Sequence, residues 1–176
     1  SARGTNICYM NDYAKISAAT YGLILLLDVL EHVNDDRTLL RDITERNLAL
    51  DGRIVITAPM FQELFASHDA FLGHHRRYSL RELVGLADAC GLHIIASGYL
   101  FTSVLLVRAL STGIQTLLKR PLASSHGVGN WNHGAFITKV AASLLLLDAR
   151  ISLLLRGMSI NLPGLTGWIV CAKQRS

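Results

Sequence analysis

The sequence predicts an α/β fold, with an open and mostly parallel sheet and an apolar helical insertion before the last strand. Three features support this prediction: short apolar runs of strand length, amphipathic helical stretches between them, and two long apolar stretches late in the chain. The 176 residues suffice for one domain with a substantial core. The alternation of strands and helices favours right-handed crossovers, which bring parallel strands side by side.

The first part of the chain is predicted to contain three strands, with one helix between the second and the third. Residues 5–10 (TNICYM) form a β-leaning run, and residues 21–27 (YGLILLL) are almost continuously apolar, which is typical of a strand covered on both faces. The cap residues Asn34-Asp35-Asp36 predict a helix that runs to Asp51-Gly52. Residues 53–58 (RIVITA) are predicted to form a second buried strand, which ends before a proline.

A long loop follows the second buried strand. Residues 59–78 (PMFQELFASHDAFLGHHRRY) are predicted to hold at most one helical turn, and their Phe and Leu content is too high for a disordered linker. The tetrapeptide Ser79-Leu80-Arg81-Glu82 is a capping box, and Gly91 ends the helix that it begins. Residues 92–97 (LHIIAS) are predicted to form a third strand.

The second half of the chain is more apolar and is predicted to be helical. We expect residues 1–98 to form the α/β part, residues 99–161 an apolar helical insertion or cap, and residues 162–176 a final strand that returns to the sheet. The apolar stretches 100–118 and 135–155 both contain charged residues. We therefore predict a buried or membrane-surface hairpin rather than membrane-spanning helices.

Composition and charge argue against several classes of protein. An apolar fraction of 51% is too high for a disordered chain, and the net charge of +4 comes from scattered Lys and Arg that form no basic stripe. The three cysteines show no disulfide framework or C-x-x-C pattern, and no secretory leader is recognised. We expect a cytoplasmic protein without a nucleic-acid partner, and membrane association is the alternative location.

Polar clusters follow the first two buried strands. Asp28, Glu31 and His32 come directly after YGLILLL. The loop after the next strand carries a second cluster, which consists of His68, Asp69, His74, His75, Arg76, Arg77 and Tyr78. Because ligands bind outside the carboxyl ends of parallel strands, we expect both clusters at one edge of the sheet. Purely structural alternatives stay open: Asp28 as a strand end, Glu31 as a solvated carboxylate, and Tyr78 as a packing residue.

The residue types in these clusters suit proton transfer and anion binding. His32 follows two carboxylates that can hold its tautomer, which makes it a candidate general base. His68, Asp69 and His74 are competent metal ligands, but their spacing matches no known metal motif, so no metal site is predicted. The sequence contains neither a nucleophile elbow G-x-S-x-G nor a phosphate-binding loop.

Two blocks of sequence resemble a known family. Residues 27–33 (LDVLEHV), preceded by Tyr21-Gly22 and followed by DGRIVITAP, resemble the fourth-strand and fifth-strand motifs of class I S-adenosylmethionine-dependent methyltransferases. Residues 61–83 (FQELFASHDAFLGHHRRYSLREL) resemble the loop after the fifth strand in a bacterial branch of that superfamily. The resemblance covers about residues 21–101 and implies a seven-stranded Rossmann-like sheet that binds S-adenosylmethionine.

The resemblance also implies roles for individual residues. The expected cofactor-binding residues are Asp12, Asp28 and Val29. The expected catalytic residues are His32, His68 and Asp69, with either histidine as the base. The expected acceptor-binding residues are Glu31, His74, Arg76, Arg77 and Tyr78, and the two arginines would hold an anionic group of the acceptor.

The implied function is methyl transfer to a small-molecule or lipid-linked acceptor. The glycine-rich cofactor turn of that family is not found ahead of YGLILLL, so the chain is expected to match the C-terminal two-thirds of such an enzyme. The alternative is a catalytically inactive methyltransferase-like binding module or a truncated gene product. Besides the acceptor, the expected partners are a membrane surface, through the apolar helices, and a second copy of the chain, through an exposed sheet edge.

Overall fold

The computed structural model describes residues 21–118 and 134–174. Its strands are β1 (Tyr21–Leu27), β2 (Leu48–Pro59), β3 (Leu92–Leu100) and β4 (Thr166–Lys173). Its helices are α1 (Asp36–Arg46), α2 (Ser67–Phe71), α3 (Leu80–Ala89), α4 (Thr102–Leu118) and α5 (Gly134–Gly157). The strand predicted at residues 5–10 and the cofactor-binding role predicted for Asp12 lie outside the described residues.

The four strands form one open mixed sheet in the order β1-β2-β4-β3. β1 pairs with β2 in parallel, whereas β4 lies antiparallel between β2 and β3. Strands β1, β2 and β3 therefore run in one direction, and only β4 opposes them. The predicted α/β class and open sheet are confirmed, and the two apolar helices α4 and α5 precede the last strand as expected.

Strand β1 is buried on one face only within the described part of the chain. Leu26 is 8% exposed, whereas Leu23, Leu25 and Leu27 are 53 to 58% exposed. Because successive side chains of a strand point to opposite faces, the three exposed leucines share one face. The sequence predicted that β1 is covered on both faces, but the described residues leave one of its faces exposed. β1 also forms one edge of the described sheet.

The core lies between the sheet and the helices α1 and α3. The central strands contribute a buried row on one face, with Ile54, Ile56 and Ile169 fully buried. Leu40 of α1 and Leu83 of α3 are also fully buried. Removing this apolar surface from water is the main stabilising contribution to the fold. The core therefore holds β2 and β4 rigidly beneath the edge where the polar clusters lie.

Helix α1 is shorter than the sequence predicts. It ends at Arg46, because Leu48 is buried at the start of β2 and the backbone N–H of Tyr21 donates to the carbonyl oxygen of Asn47 at 2.7 Å. Gly52 therefore belongs to β2 and does not end the helix. A Cβ atom at Gly52 would lie 2.9 Å from the carbonyl oxygen of Tyr21, so this close strand contact requires a glycine.

Helices α4 and α5 expose most of the apolar side chains that the structure describes in them, which in α4 are those of residues 102–110. Asp148 of α5 accepts hydrogen bonds from the backbone N–H groups of Thr102 and Ser103, at 3.1 and 2.8 Å, which caps α4. Burial alone raises the pKa of Asp148, but these hydrogen bonds bring it below its usual value. Arg156 ties α5 to the sheet by donating to the carbonyl oxygen of Ser97 at 2.6 Å. Within the described residues, no helix combines the length and apolarity needed to cross a membrane.

The predicted capping box of α3 is confirmed. The hydroxyl oxygen of Ser79 accepts from the backbone N–H of Glu82 at 3.2 Å, and the carboxylate of Glu82 accepts from the backbone N–H of Ser79 at 2.7 Å. Ser79→Ala should lower the free energy of unfolding by about 1 kcal/mol, because an N–H group at the helix start loses its partner. Urea denaturation measures the change. The matched control is Arg81→Ala on an exposed position of the same helix, which should change stability by less than about 0.5 kcal/mol.

Candidate functional site

Three residues with left-handed backbone conformation mark one edge of the sheet. Asp28, Phe61 and Phe101 have φ angles of 51°, 66° and 64°. They follow the carboxyl ends of β1, β2 and β3, the three strands that run in the same direction. Bulky residues rarely adopt positive φ, and such strained positions concentrate at functional sites. The chain thus turns sharply at the edge where the sequence predicts the ligand.

Asp28 links the carboxyl ends of β1 and β2. Its backbone N–H donates to the carbonyl oxygen and to the hydroxyl oxygen of Thr57, at 3.2 and 3.0 Å. The Thr57 hydroxyl donates in return to the Asp28 carboxylate at 2.9 Å. The Asp28 side chain is exposed, so its carboxylate stays accessible from solvent. Val29, the next residue, is half-buried.

A groove of about 610 Å³ lies against β1, and its lining includes Val29 but not Asp28. Its walls are formed by β1, by α1 and by the turn between them, and they include Leu25, Val29, Val33 and Leu39. These residues make the groove predominantly apolar. Val29 therefore lies where it can contact an apolar or aromatic group of a ligand in the groove.

The loop at residues 59–78 closes on itself and on the sheet. The backbone N–H of Phe61 donates to the carbonyl oxygen of Tyr78 at 2.8 Å. The backbone N–H of Tyr78 donates to the carbonyl oxygen of Pro59 at 2.9 Å. Between these ends lies a single 3₁₀ turn at Gln62–Leu64, in agreement with the one helical turn that the sequence allowed. The loop also contains the short helix α2, which the sequence did not predict. Gln62 accepts a hydrogen bond from the backbone N–H of Arg77 at 2.8 Å. The loop is an ordered, packed element.

The two polar clusters meet at this edge. The backbone N–H of His75 donates to the carbonyl oxygen of Glu31 at 2.7 Å. The imidazole rings of His32 and His74 are in edge-to-face contact, with centroids 4.7 Å apart. Gly73, with φ of 75°, makes the turn that brings His74 under His32. The turn after β1 and the loop after β2 therefore form one site, as the strand directions predict.

Glu31 is buried in this site. Its side chain is 1% exposed, and neither carboxylate oxygen has a hydrogen-bond partner among the described residues. Burial raises its pKa to about 7, and the negative charge of Asp28 adds to the increase. The residue's own backbone N–H and the positive charge of Arg77 oppose it. Glu31 is therefore not the solvated carboxylate that the sequence left open as an alternative. At neutral pH, Glu31 is divided between its protonated and ionised forms.

Asp69 organises the loop from within. It is fully buried, and its Oδ1 atom accepts from Nε and NH2 of Arg77 at 2.8 and 2.7 Å. Its other oxygen accepts from the backbone N–H of Ala66 at 2.9 Å and lies 3.4 Å from Arg108. His74 Nδ1 lies 3.2 Å from Oδ1. Burial alone raises the pKa of Asp69, but the hydrogen bonds from Arg77 and Ala66 bring it below its usual value.

Arg77 and Tyr78 point into the protein. Arg77 is 7% exposed, and besides Asp69 it donates to the carbonyl oxygen of Met60 at 3.1 Å. The hydroxyl of Tyr78 donates to Asp36 at 2.7 Å, and burial together with this hydrogen bond raises the pKa of Tyr78. Both residues therefore make structural contacts here, and their role in acceptor binding stays a prediction.

Arg76 and His68 are more accessible. The Arg76 side chain is 36% exposed, lies 3.2 Å from Asp36, and lines a cavity of about 450 Å³ together with Gln62 and Tyr78. His68 is half-buried on α2, and no hydrogen bond of its side chain is found among the described residues. Arg77 lines the same cavity. The two adjacent arginines differ in exposure, because the Arg77 side chain is buried in its ion pair with Asp69 while that of Arg76 stays accessible.

Several residues of the site were not predicted from the sequence. Thr57 binds Asp28, Asp36 binds Arg76 and Tyr78, and Arg108 approaches Asp69. Arg108 had a visible signal, because a charge within an otherwise apolar helix requires a partner. Thr57 and Asp36 had none, since a strand threonine and a first-turn aspartate are common for local reasons.

Comparisons with known proteins give structural neighbours only. No protein-family model and no curated protein sequence matches this chain. One neighbour is a phosphoethanolamine N-methyltransferase 2 of Haemonchus contortus, solved with phosphomonomethylethanolamine and S-adenosylhomocysteine. It is 14% identical to this chain, with a TM-score of 0.46. The match covers 88% of this chain and 34% of that chain. A SAM-dependent methyltransferase of Archaeoglobus fulgidus is 14% identical with a TM-score of 0.45, at 88% and 60% coverage.

The chain spans between 34% and 60% of the length of these solved structures. The likeness by itself assigns no activity, because the identities are 14% and the TM-scores are below 0.5. The chemistry of the site has to be argued from the residues of this chain.

Asp69→Asn should strongly destabilise the protein. The substitution keeps the shape of the side chain but leaves the buried guanidinium of Arg77 without its counter-charge, which costs about 3 to 5 kcal/mol. Urea denaturation followed by circular dichroism measures the loss. Asp88→Asn, on an exposed position of α3, is the matched control and should change stability little. Equal effects of the two substitutions would contradict the structural role of Asp69.

Proposed function

We propose that the chain is the catalytic part of an S-adenosylmethionine-dependent methyltransferase that acts on a small-molecule or lipid-linked acceptor. The observation that carries the proposal is the meeting of the LDVLEHV turn with the histidine-rich loop, through the 2.7 Å hydrogen bond from His75 to Glu31. The two sequence blocks that resemble methyltransferase motifs thus form one site at the carboxyl ends of parallel strands.

Asp28 and Val29 form the cofactor side of the site. Val29 lines the apolar groove of about 610 Å³, and Asp28, the residue before it, has an exposed side chain. These features fit a ligand that combines an apolar aromatic part with a cationic end. When bound, S-adenosylmethionine supplies the methyl group. Asp12 belongs to the same proposed set.

The acceptor side consists of the histidines and of Arg76. Most of the rate enhancement in methyl transfer can come from holding the reacting atoms in line, so these residues act chiefly by positioning the acceptor. A base is needed only where the acceptor loses a proton, and His32 and His68 are the two imidazoles available for this step. Of the two arginines that line the cavity, Arg76 is the more exposed, and it is the one that we assign to an anionic acceptor group.

The remaining members of the predicted site act by positioning. Asp69 and Arg77 satisfy each other inside the loop, and Asp69 also orients His74. Tyr78 ties the end of the loop to Asp36. We therefore assign Asp69 a positioning role, in place of direct participation in the reaction.

Calorimetric titration with S-adenosylmethionine and with S-adenosylhomocysteine tests the cofactor site. We expect both to bind, and Asp28→Asn to weaken binding by about tenfold or more, because a charged hydrogen-bond acceptor is lost. Asp88→Asn, far from the groove in sequence and exposed, serves as the control. Binding unaffected by Asp28→Asn would contradict the assignment of the groove. Absence of any binding would favour the non-catalytic binding module.

A second proposal concerns the apolar helices, because their exposure favours contact with a membrane surface. Val107 of α4 is 68% exposed, and Phe136, Leu144 and Leu154 of α5 are 80, 61 and 70% exposed. Lys139 and Arg150 place positive charges on the same helix. An apolar helix with basic residues that lies in the membrane interface suits an enzyme whose acceptor is lipid-linked.

Flotation with phosphatidylserine-containing vesicles tests this contact. We expect the wild-type chain to float with the vesicles and the double variant Leu144→Glu/Leu154→Glu to stay in the dense fraction, since charged side chains oppose insertion. Leu50→Glu is the matched control, because Leu50 is 72% exposed but lies on β2. Equal flotation of both variants, or none by the wild type, would instead favour a helical cap of the sheet.

A further inference from the structure

We propose that Glu31, His32 and His74 bind a divalent transition-metal ion of the zinc class. Each residue offers one ligand atom, and these three atoms all lie within 4.8 Å of one another. Two imidazoles and one carboxylate form a ligand set that proteins use for catalytic zinc and for related transition-metal ions. The proposal goes beyond methyl transfer, and it revises the sequence-based expectation of no metal site.

The buried Glu31 carboxylate is the first argument for an ion. Both of its oxygens lack a hydrogen-bond partner among the described residues, while the side chain is only 1% exposed. A buried carboxyl group without a hydrogen-bond partner is costly in either protonation state, and buried ionised carboxylates are normally paired or bound to a metal. The carboxylate points into the cluster, since its ligand atom is within reach of both histidines.

The orientation of His74 is the second argument. Its Nδ1 atom lies 3.2 Å from Oδ1 of Asp69, and a carboxylate can only accept a hydrogen bond there. Nδ1 therefore carries the proton, which leaves the lone pair on Nε2 free to bind a metal. A carboxylate that holds the other nitrogen of a histidine ligand is the usual arrangement around protein-bound metals. Asp69 is itself fixed by Arg77, so the imidazole is held rigidly.

His32 completes the set from the solvent side. Its side chain is exposed, whereas Glu31 is buried and His74 is half-buried, so the site opens to solvent at one side. Around a tetrahedral zinc ion with bonds of about 2.0 Å, ligand atoms lie about 3.3 Å apart. The ligand atoms here lie within 4.8 Å of one another, so the side chains need to close by up to about 1.5 Å. An exposed imidazole can make this adjustment by rotation, and the backbone on both sides is already joined by the His75 to Glu31 hydrogen bond.

The ligand set also selects among ions. Mg²⁺ and Ca²⁺ prefer all-oxygen sites, whereas imidazole ligands suit zinc, cobalt and nickel. Three protein ligands leave one coordination position open for a water molecule or for an oxygen of a bound compound. With the lone pair of His32 engaged by the metal, proton removal in the proposed methyl transfer would fall to His68.

Titration of the metal-free chain with Zn²⁺ and Co²⁺, without S-adenosylmethionine, tests the proposal. We expect tight binding of one ion that an excess of Mg²⁺ does not displace, together with the visible absorption of four-coordinate Co²⁺. We expect His32→Ala and Glu31→Gln each to weaken Zn²⁺ binding by at least about tenfold. Zn²⁺ should raise the melting temperature of the wild type, because the ion binds only the folded site.

His75→Ala is the matched control. His75 is exposed and adjacent to His74, but it is not part of the ligand cluster, and its backbone hydrogen bond to Glu31 survives the substitution. It should bind Zn²⁺ as the wild type does. Because His32 is exposed, His32→Ala should remain folded, and its circular dichroism spectrum checks this. If a folded His32→Ala binds Zn²⁺ as tightly as His75→Ala, or if the wild type binds none, the metal site is overturned. Neither result bears on the binding of S-adenosylmethionine.

Discussion

The site depends on the buried ion pair between Asp69 and Arg77. Within a loop of twenty residues this pair closes the chain, and Asp69 at the same time accepts a backbone N–H from Ala66 and holds His74. Its desolvation is costly, and the multiple hydrogen bonds to the carboxylate compensate for it. Without the pair, Asp69 would no longer be fixed where it orients His74 toward His32, and the backbone hydrogen bond from His75 to Glu31 would be left to join the loop to the turn after β1.

Parts of the fold that depend on local chemistry could be predicted from the sequence. The capping box at Ser79, the strand YGLILLL and the position of β4 all follow from spacing and residue type. The meeting of the two polar clusters was predictable as well, because it needs only strand direction and the rule that parallel strands share a carboxyl edge. The end of α1 was not, since the buried Leu48 and the contact of Gly52 with Tyr21 are tertiary features.

The internal organisation of the site was less predictable. A sequence pattern does not show which of two adjacent arginines turns inward, and here Arg77 is buried while Arg76 stays accessible. It does not show that Glu31 is buried either, because that depends on the loop that covers it. One signal was present in the loop: its Phe and Leu residues imply packing, and charged side chains inside a packed loop need counter-charges. The exposed face of β1 likewise depends on what lies against it, which the strand itself does not encode.

The central claim is that the turn after β1 and the loop after β2 form one site through the contact of His32 with His74. A nuclear Overhauser measurement on the uniformly isotope-labelled chain tests this most directly. With ring centroids 4.7 Å apart, the account predicts a cross-peak between the ring protons of His32 and His74. Absence of that cross-peak, while one is seen between the paired residues Met60 and Tyr78, would contradict it.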